Sequence, residues 1–174
     1  VFQICCTTKL LAELGIKPRD LPFSSSPEPL KEWYVNFFRY ERRKCLALLN
    51  PGTGYALVAM NVRKKEILAL PQLLHGLIEK SLLADRVSAK YVADLLSDDE
   101  YAFFRTKDRS ARARLNVIVR ETPFMANSFR GPLELNEMIA AVFNHGPGLG
   151  QFTVDNVGLV VGEKLPRPDH WKWT

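Results

Sequence analysis

The 174-residue chain has three cysteines and three histidines, and no apolar run near the length of a membrane span. About 18 apolar residues would be needed for a spanning helix. The first residues also lack a basic stretch followed by an apolar one, so a cytoplasmic location without membrane contact is expected. Cys5, Cys6 and Cys45 include no C-x-x-C pair, and His75, His145 and His170 lie in no HExxH or HxH pattern. Neither a zinc site nor any other metal or cofactor is expected. Adjacent strand residues point to opposite faces, which makes a Cys5–Cys6 disulfide geometrically poor. All three thiols are read as small buried hydrophobes.

Recognisable catalytic loops are missing as well. Gly52-Thr-Gly54 and Gly146-Pro-Gly-Leu-Gly150 lack the lysine and the spacing of a phosphate loop and are read as turns. No serine occupies a G-x-S-x-G elbow. Asp98, Asp99 and Glu100 fan out around the backbone and are read as a solvated acidic turn. No internal repeat is evident.

What the chain has in quantity is apolar side chains, 47% of the residues, with 25% charged. That is the composition of one folded domain with a full core. The reading places an α+β core domain at 1–146 and a C-terminal extension at 147–174, packed on the core. Two apolar runs, Cys45-Leu-Ala-Leu-Leu-Asn50 and Tyr55-Ala-Leu-Val-Ala-Met60, flank Pro-Gly-Thr-Gly and predict a central antiparallel hairpin. With Val1–Cys6 as an edge strand and Tyr101–Thr106, they make an antiparallel sheet. Helices are expected mainly on one face.

Helical spacing recurs along the chain. Leu10, Leu11 and Leu14 predict a short helix after Thr7 or Thr8, which Gly15 stops. Lys17–Pro29, with four of the eleven prolines, is a connector. Leu30, Trp33, Tyr34, Phe37 and Phe38 predict a helix over Leu30–Arg43 with Trp33 as a core anchor. Arg63-Lys-Lys65 is read as a basic turn. Leu73, Leu74, Leu77, Ile78, Ser81 and Leu82 mark another helix, where Gly76 suggests a close neighbour. Ser88 caps a further one, and Asp108 caps Arg109–Glu121, which Pro123 ends. A last core helix is expected over Leu133–Phe143. The tail from Gln151 is read as one or two strands followed by an irregular strap.

The chain carries a net charge of +5. From Arg105 to Arg114 there are five basic residues and one acidic, a local balance of +4. Arg105, Lys107, Arg109, Ser110, Arg112 and Asn116 are the candidate anion-binding residues, at a strand end and helix start where free N–H groups attract anions. A nucleic acid or other polyanion is the leading partner. A protein partner, of toxin–antitoxin or phage accessory type, is the second reading, resting on small size and absent catalytic motifs. An enzyme using Asn36, Arg109, Ser110 and Asn116 is the third. Asn36 and Asn50 are also marked as polar-site candidates.

The runs Ile4-Cys-Cys-Thr-Thr-Lys-Leu-Leu11, Glu32-Trp-Tyr-Val-Asn36, Arg42-Arg-Lys-Cys-Leu-Ala-Leu-Leu-Asn50 and Thr106-Lys-Asp-Arg-Ser110 with Asn116 together resemble the DUF6933 domain family. Its members carry RCTQKLL, WYANL, RRxLVLxVN and NRSVLGSMND in the same order. The resemblance spans roughly residues 2–145 and implies a small intracellular bacterial or phage protein of unknown activity. Trp33, Asn36, Asn50, Arg109, Ser110 and Asn116 match the family signature. Val117 stands where the family has aspartate, which speaks against a carboxylate-dependent activity there.

Overall fold

A computed structural model describes residues 1–24, 28–97, 100–126, 153–162 and 164–165. Its centre is a five-stranded sheet in the order β4-β3-β2-β1-β5. The strands are β1 (Phe2–Cys6), β2 (Glu32–Tyr40), β3 (Arg43–Leu49), β4 (Ala56–Ala59) and β5 (Tyr101–Arg105). The described helices are α1 (Thr8–Leu14), α2 (Lys64–Leu68), α3 (Leu70–Ala84), α4 (Ala89–Leu95), α5 (Arg109–Ala126) and α6 (Thr153–Val161). This is a single α+β domain.

The main correction concerns residues 30–43, which hold strand β2 over Glu32–Tyr40 and the turn into β3 where a helix was expected. Trp33, Val35 and Phe37 join the core on one face of the sheet, while Tyr34 and Phe38 join the core on the other. A strand buried on both faces shows no polar alternation, so its aromatics fall by accident at helical spacings. Its content of Trp, Tyr, Val and Phe is what a pleated, packed surface favours. The turn into β3 also lacks the usual signal. Glu41 and Arg42 both take positive φ, 47° and 64°, the geometry of a two-residue hairpin normally marked by Asn-Gly.

The sheet is mixed, where an antiparallel one was expected. β2–β3 and β3–β4 pair antiparallel, but β1 runs parallel to both β2 and β5. Parallel neighbours need long crossovers. Here α1 and the proline-rich connector join β1 to β2, and α2–α4 lie between β4 and β5. β1 is consequently an interior strand with all five residues buried, and not an edge.

Two apolar layers sandwich the sheet. One holds Leu10 and Leu11 of α1, Ile67 of α2, Leu70, Leu74, Ile78 and Leu82 of α3, Val92 and Leu95 of α4, and Val157 of α6. The other holds Ala111, Leu115 and Ile118 of α5, on Cys5, Tyr34, Phe38, Cys45 and Ala47. Most described helices thus share one face and α5 has the other. Ser88 caps α4 by accepting from the Tyr91 N–H.

Smaller departures have local causes. Residues Arg63–Lys65 open a short helix, because the Glu66 carboxylate reaches back and accepts from the Arg63 N–H at 2.7 Å. Pro123 lies inside α5, which continues to Ala126. A Cβ on Gly76 would meet nothing within 4 Å, so no close neighbour explains that glycine. The tail segment Thr153–Val161 is helix where strand was expected. Its Asn156 Nδ2 donates to the Thr53 carbonyl at 3.0 Å. The expected helix over Leu133–Phe143, the turn at 146–150, the acidic pair Asp98 and Asp99, and the strap beyond Leu165 lie outside the described residues.

All three cysteines are free and buried, with Cys5 and Cys6 on opposite faces of the sheet. Burial pushes the Cys6 thiol from 9.0 up to about 12. It moves Cys5 the same way, with the Glu32 carboxylate adding to it, and raises Cys45. A raised thiol pKa contributes stability below the unfolded value, and that contribution is lost as pH rises through the folded one. Stability in denaturant is therefore expected to fall between pH 9.0 and about 12. A thiol reagent at neutral pH should label the native protein slowly and the unfolded chain at all three sites. Rapid labelling of the native protein would contradict this burial.

Candidate nucleic-acid interface

α5 leaves the carboxyl end of β5 and crosses the sheet above β2 and β3. Its start is fixed from two sides. The Asp108 carboxylate accepts from the N–H groups of Ser110 and Ala111 at 2.7 and 3.2 Å. The Asp108 N–H donates to the Tyr34 hydroxyl at 3.1 Å. Burial raises the Tyr34 pKa, which keeps that hydroxyl neutral. The expectation of free N–H groups at the helix start therefore needs correcting, since the protein's own carboxylate occupies two of them.

What α5 offers an anion is its side chains. Lys107 precedes it, and Arg109, Ser110, Arg112 and Asn116 are exposed along it. At about 100° per residue, Arg109, Arg112 and Asn116 fall within an arc of roughly 60°, spread over some 10 Å of axis. Ala111, Leu115, Ile118 and Thr122 hold the buried side. The spacing predicts this division and carries the polar stripe on to Arg120, which is paired with Glu121 at 2.7 Å.

Arg105 does not share the stripe. It is half-buried, its guanidinium lies 4.2 Å from the Phe23 ring centroid, and its backbone N–H donates to the Pro22 carbonyl. That cation–π contact ties the proline-rich connector to β5. Arg114 is also half-buried, and loss of solvent lowers its pKa.

The other basic runs are neutralised in part: Arg39, Lys44 and Arg63 are paired, while among the described residues Arg42, Arg43, Lys64 and Lys65 have no ion pair. Lys44 Nζ lies 2.5 Å from Glu13 Oε2, and Arg39 Nη2 lies 3.8 Å from Glu13 Oε1. Those cations hold the Glu13 carboxyl below its usual range, the Lys44 hydrogen bond contributing most. Arg63 pairs with Glu66, whose carboxyl is held down to about 2 by hydrogen bonds from Arg63. Among the described residues, no ion pair joins Lys107, Arg109 or Arg112.

Asn36 and Asn50, both marked from the sequence, have different surroundings. Asn50 is 1% exposed. Its Oδ1 accepts from the Thr53 N–H and hydroxyl, and its Nδ2 donates to the Glu32 carbonyl. All these bonds hold the β3–β4 turn against the start of β2. Asn36, 5% exposed, lies on the α5 side of β2 and meets Asn116. Its Nδ2 donates to Asn116 Oδ1 at 3.4 Å, and the Thr7 hydroxyl donates to Asn36 Oδ1 at 2.8 Å. Of the polar residues considered together, Asn36 and Asn116 touch. Arg109 and Ser110 stand about two turns away on the same helix.

Thr7 is the member that sequence reasoning took for a helix cap alone. It occupies the N-cap position of α1 but makes no side-chain cap bond. Its place within the run shared with the family was the one available signal.

The family model described as "Domain of unknown function (DUF6933)" matches residues 3–147. The chain belongs to this family. No curated protein and no solved structure matches it. The DUF6933 match takes in β1 through α5, and with them Thr7, Asn36 and the whole α5 stripe. Among the described residues, no group of three His, Cys, Asp or Glu is placed to hold a metal ion, and no helix is long and apolar enough to cross a membrane.

Proposed function

We propose that this DUF6933 protein binds nucleic acid through its phosphates, along the exposed face of α5. The observation that carries this reading is the exposed basic stripe of α5, which lies opposite its buried face. Arg109 and Arg112 lie on that stripe with Lys107 just before it, and among the described residues none of the three has an ion pair, whereas Arg120 farther along is paired with Glu121. Exposed cations on one helix face suit a polymer lying along the surface, because each contact exchanges a condensed counter-ion for a side chain. The Asp108 carboxylate takes up the Ser110 and Ala111 N–H groups, which leaves the contact to the side chains from Arg109 onward. No base-reading pattern accompanies the charge, so binding is expected to tolerate many sequences.

Fluorescence anisotropy with short labelled single- and double-stranded DNA and RNA tests this. The parent should bind at low salt and weaken steeply as salt rises. R109A/R112A should bind more weakly, with a log–log salt slope shallower by about 1–2, as expected for two lost phosphate contacts. Parent binding no tighter than about millimolar at low salt would overturn the proposal. An unchanged slope in the double variant would exclude α5 as the contact surface.

A further inference from the structure

Thr7, Asn36 and Asn116 come from the end of β1, the middle of β2 and the third turn of α5, and they form one directed chain of hydrogen bonds. The Thr7 hydroxyl donates to Asn36 Oδ1 at 2.8 Å, and Asn36 Nδ2 donates to Asn116 Oδ1 at 3.4 Å. An asparagine amide has an acceptor end and a donor end. With the Thr7 proton on Asn36 Oδ1, the Asn36 NH2 faces α5, and Asn116 turns its carbonyl oxygen inward to accept. The Nδ2 of Asn116 is then the end left for solvent. Asn116 is exposed and lies within the arc of Arg109 and Arg112.

We propose that Asn116 is a neutral ligand donor, its Nδ2 giving a hydrogen bond to a phosphodiester oxygen on the basic stripe. Asn36 is the positioning residue that sets its direction, and Thr7 holds Asn36. This deepens the phosphate-binding reading of α5 and rests on it. The chemistry matches on both counts: an outward donor on the same helix face as two arginines complements an oxygen that carries negative charge and has no proton to give. A buried, spoken-for amide beneath the donor also limits its rotation, so less freedom is lost when the ligand arrives.

The test is anisotropy with a short labelled single-stranded oligonucleotide over a salt series, using the parent, N116A, N36D, T7S and R112A. N116A should bind about tenfold more weakly, the effect of one hydrogen bond to a charged group. Its salt slope should equal the parent's, since a neutral donor releases no counter-ion, while R112A should flatten the slope. In N36D the new carboxylate only accepts, so Asn116 turns its Nδ2 inward and its oxygen outward. Affinity should fall at least as far as in N116A, although Asn116 is still present. T7S keeps the hydroxyl and should bind like the parent. N116A is a surface change and carries the test even where N36D fails to fold. N116A binding within about twofold of the parent, or with a slope flattened like that of R112A, would overturn the proposal.

Side-chain amide NMR separates this inference from the reading beneath it. In the free parent, the Asn36 NH2 protons should exchange slowly and those of Asn116 fast. The reverse pattern would overturn the donor direction whatever the protein binds. An oligonucleotide that fails to bind the parent would overturn the phosphate role itself.

Discussion

Replacing Trp33 by alanine is expected to lower stability by about 3–5 kcal/mol, the cost of removing a large buried aromatic. Trp33 has 0% exposure and stands edge-on to Tyr55, with ring centroids 6.3 Å apart. Its Nε1 donates to the Leu30 carbonyl at 2.7 Å. That bond adds to the loss, because Leu30 takes a φ of 68°, a conformation a bulky residue adopts only where its surroundings enforce it. Truncation would open a cavity and release the strained entry to β2 together. W33F should recover much of the packing but not the hydrogen bond, and fall between the two. Urea melts of the three proteins would check this, and W33A unfolding at the parent's midpoint would sink it.

The second large effect is expected at Asn50. Alanine there removes an acceptor from the Thr53 N–H and hydroxyl, and a donor from the Glu32 carbonyl, at distances of 2.8, 2.8 and 2.9 Å. Thr53 is itself 0% exposed, so water cannot readily replace the lost partner. Leaving buried polar groups unpaired costs about 1–3 kcal/mol each, and a total near 3 kcal/mol is expected. N50D keeps the acceptor for Thr53 but buries a carboxylate against the Glu32 carbonyl, so a loss at least as large as that of N50A is expected at neutral pH. Chemical denaturation measures both. The comparison also separates Asn50 from the proposed interface: N50A should leave the oligonucleotide salt slope of the surviving folded protein unchanged, whereas R109A/R112A should flatten it. A flattened slope in folded N50A would show that the turn and α5 are coupled.

These two residues show how far the local pattern reaches. Trp33 reads as a core anchor from its apolar neighbours, and it is one, but the helix assumed for it is a strand. Tyr34 therefore faces the opposite layer instead of sharing its face. Asn50 reads as a polar residue of interest, and the polarity is spent on a turn. The elements that follow from short-range signals are present: the β3–β4 hairpin around Pro-Gly-Thr-Gly, α4 behind its Ser88 cap, and α5 behind Asp108 with its buried and basic stripes. The motif order likewise carried the family assignment, which the match over residues 3–147 establishes.

The sequence by itself determined the class of the fold, the positions of strands β3, β4 and β5, the buried state of the thiols and the basic face of α5. Each depends on residues close together in the chain, where turn chemistry, caps and side-chain period act directly. Only the tertiary structure decided that β1 is an interior strand, that it runs parallel to β2 and β5, and that β2 is a strand at all. Those outcomes depend on which distant segments cover both faces of an apolar run, and one run of aromatics is compatible with helical and extended packing until its neighbours are in place. The same holds for the candidate site. Thr7, Asn36 and Asn116 lie 29 and 80 residues apart along the chain, and only the parallel pairing of β1 with β2, beneath a helix that starts at the far strand β5, brings three short polar side chains into a single line.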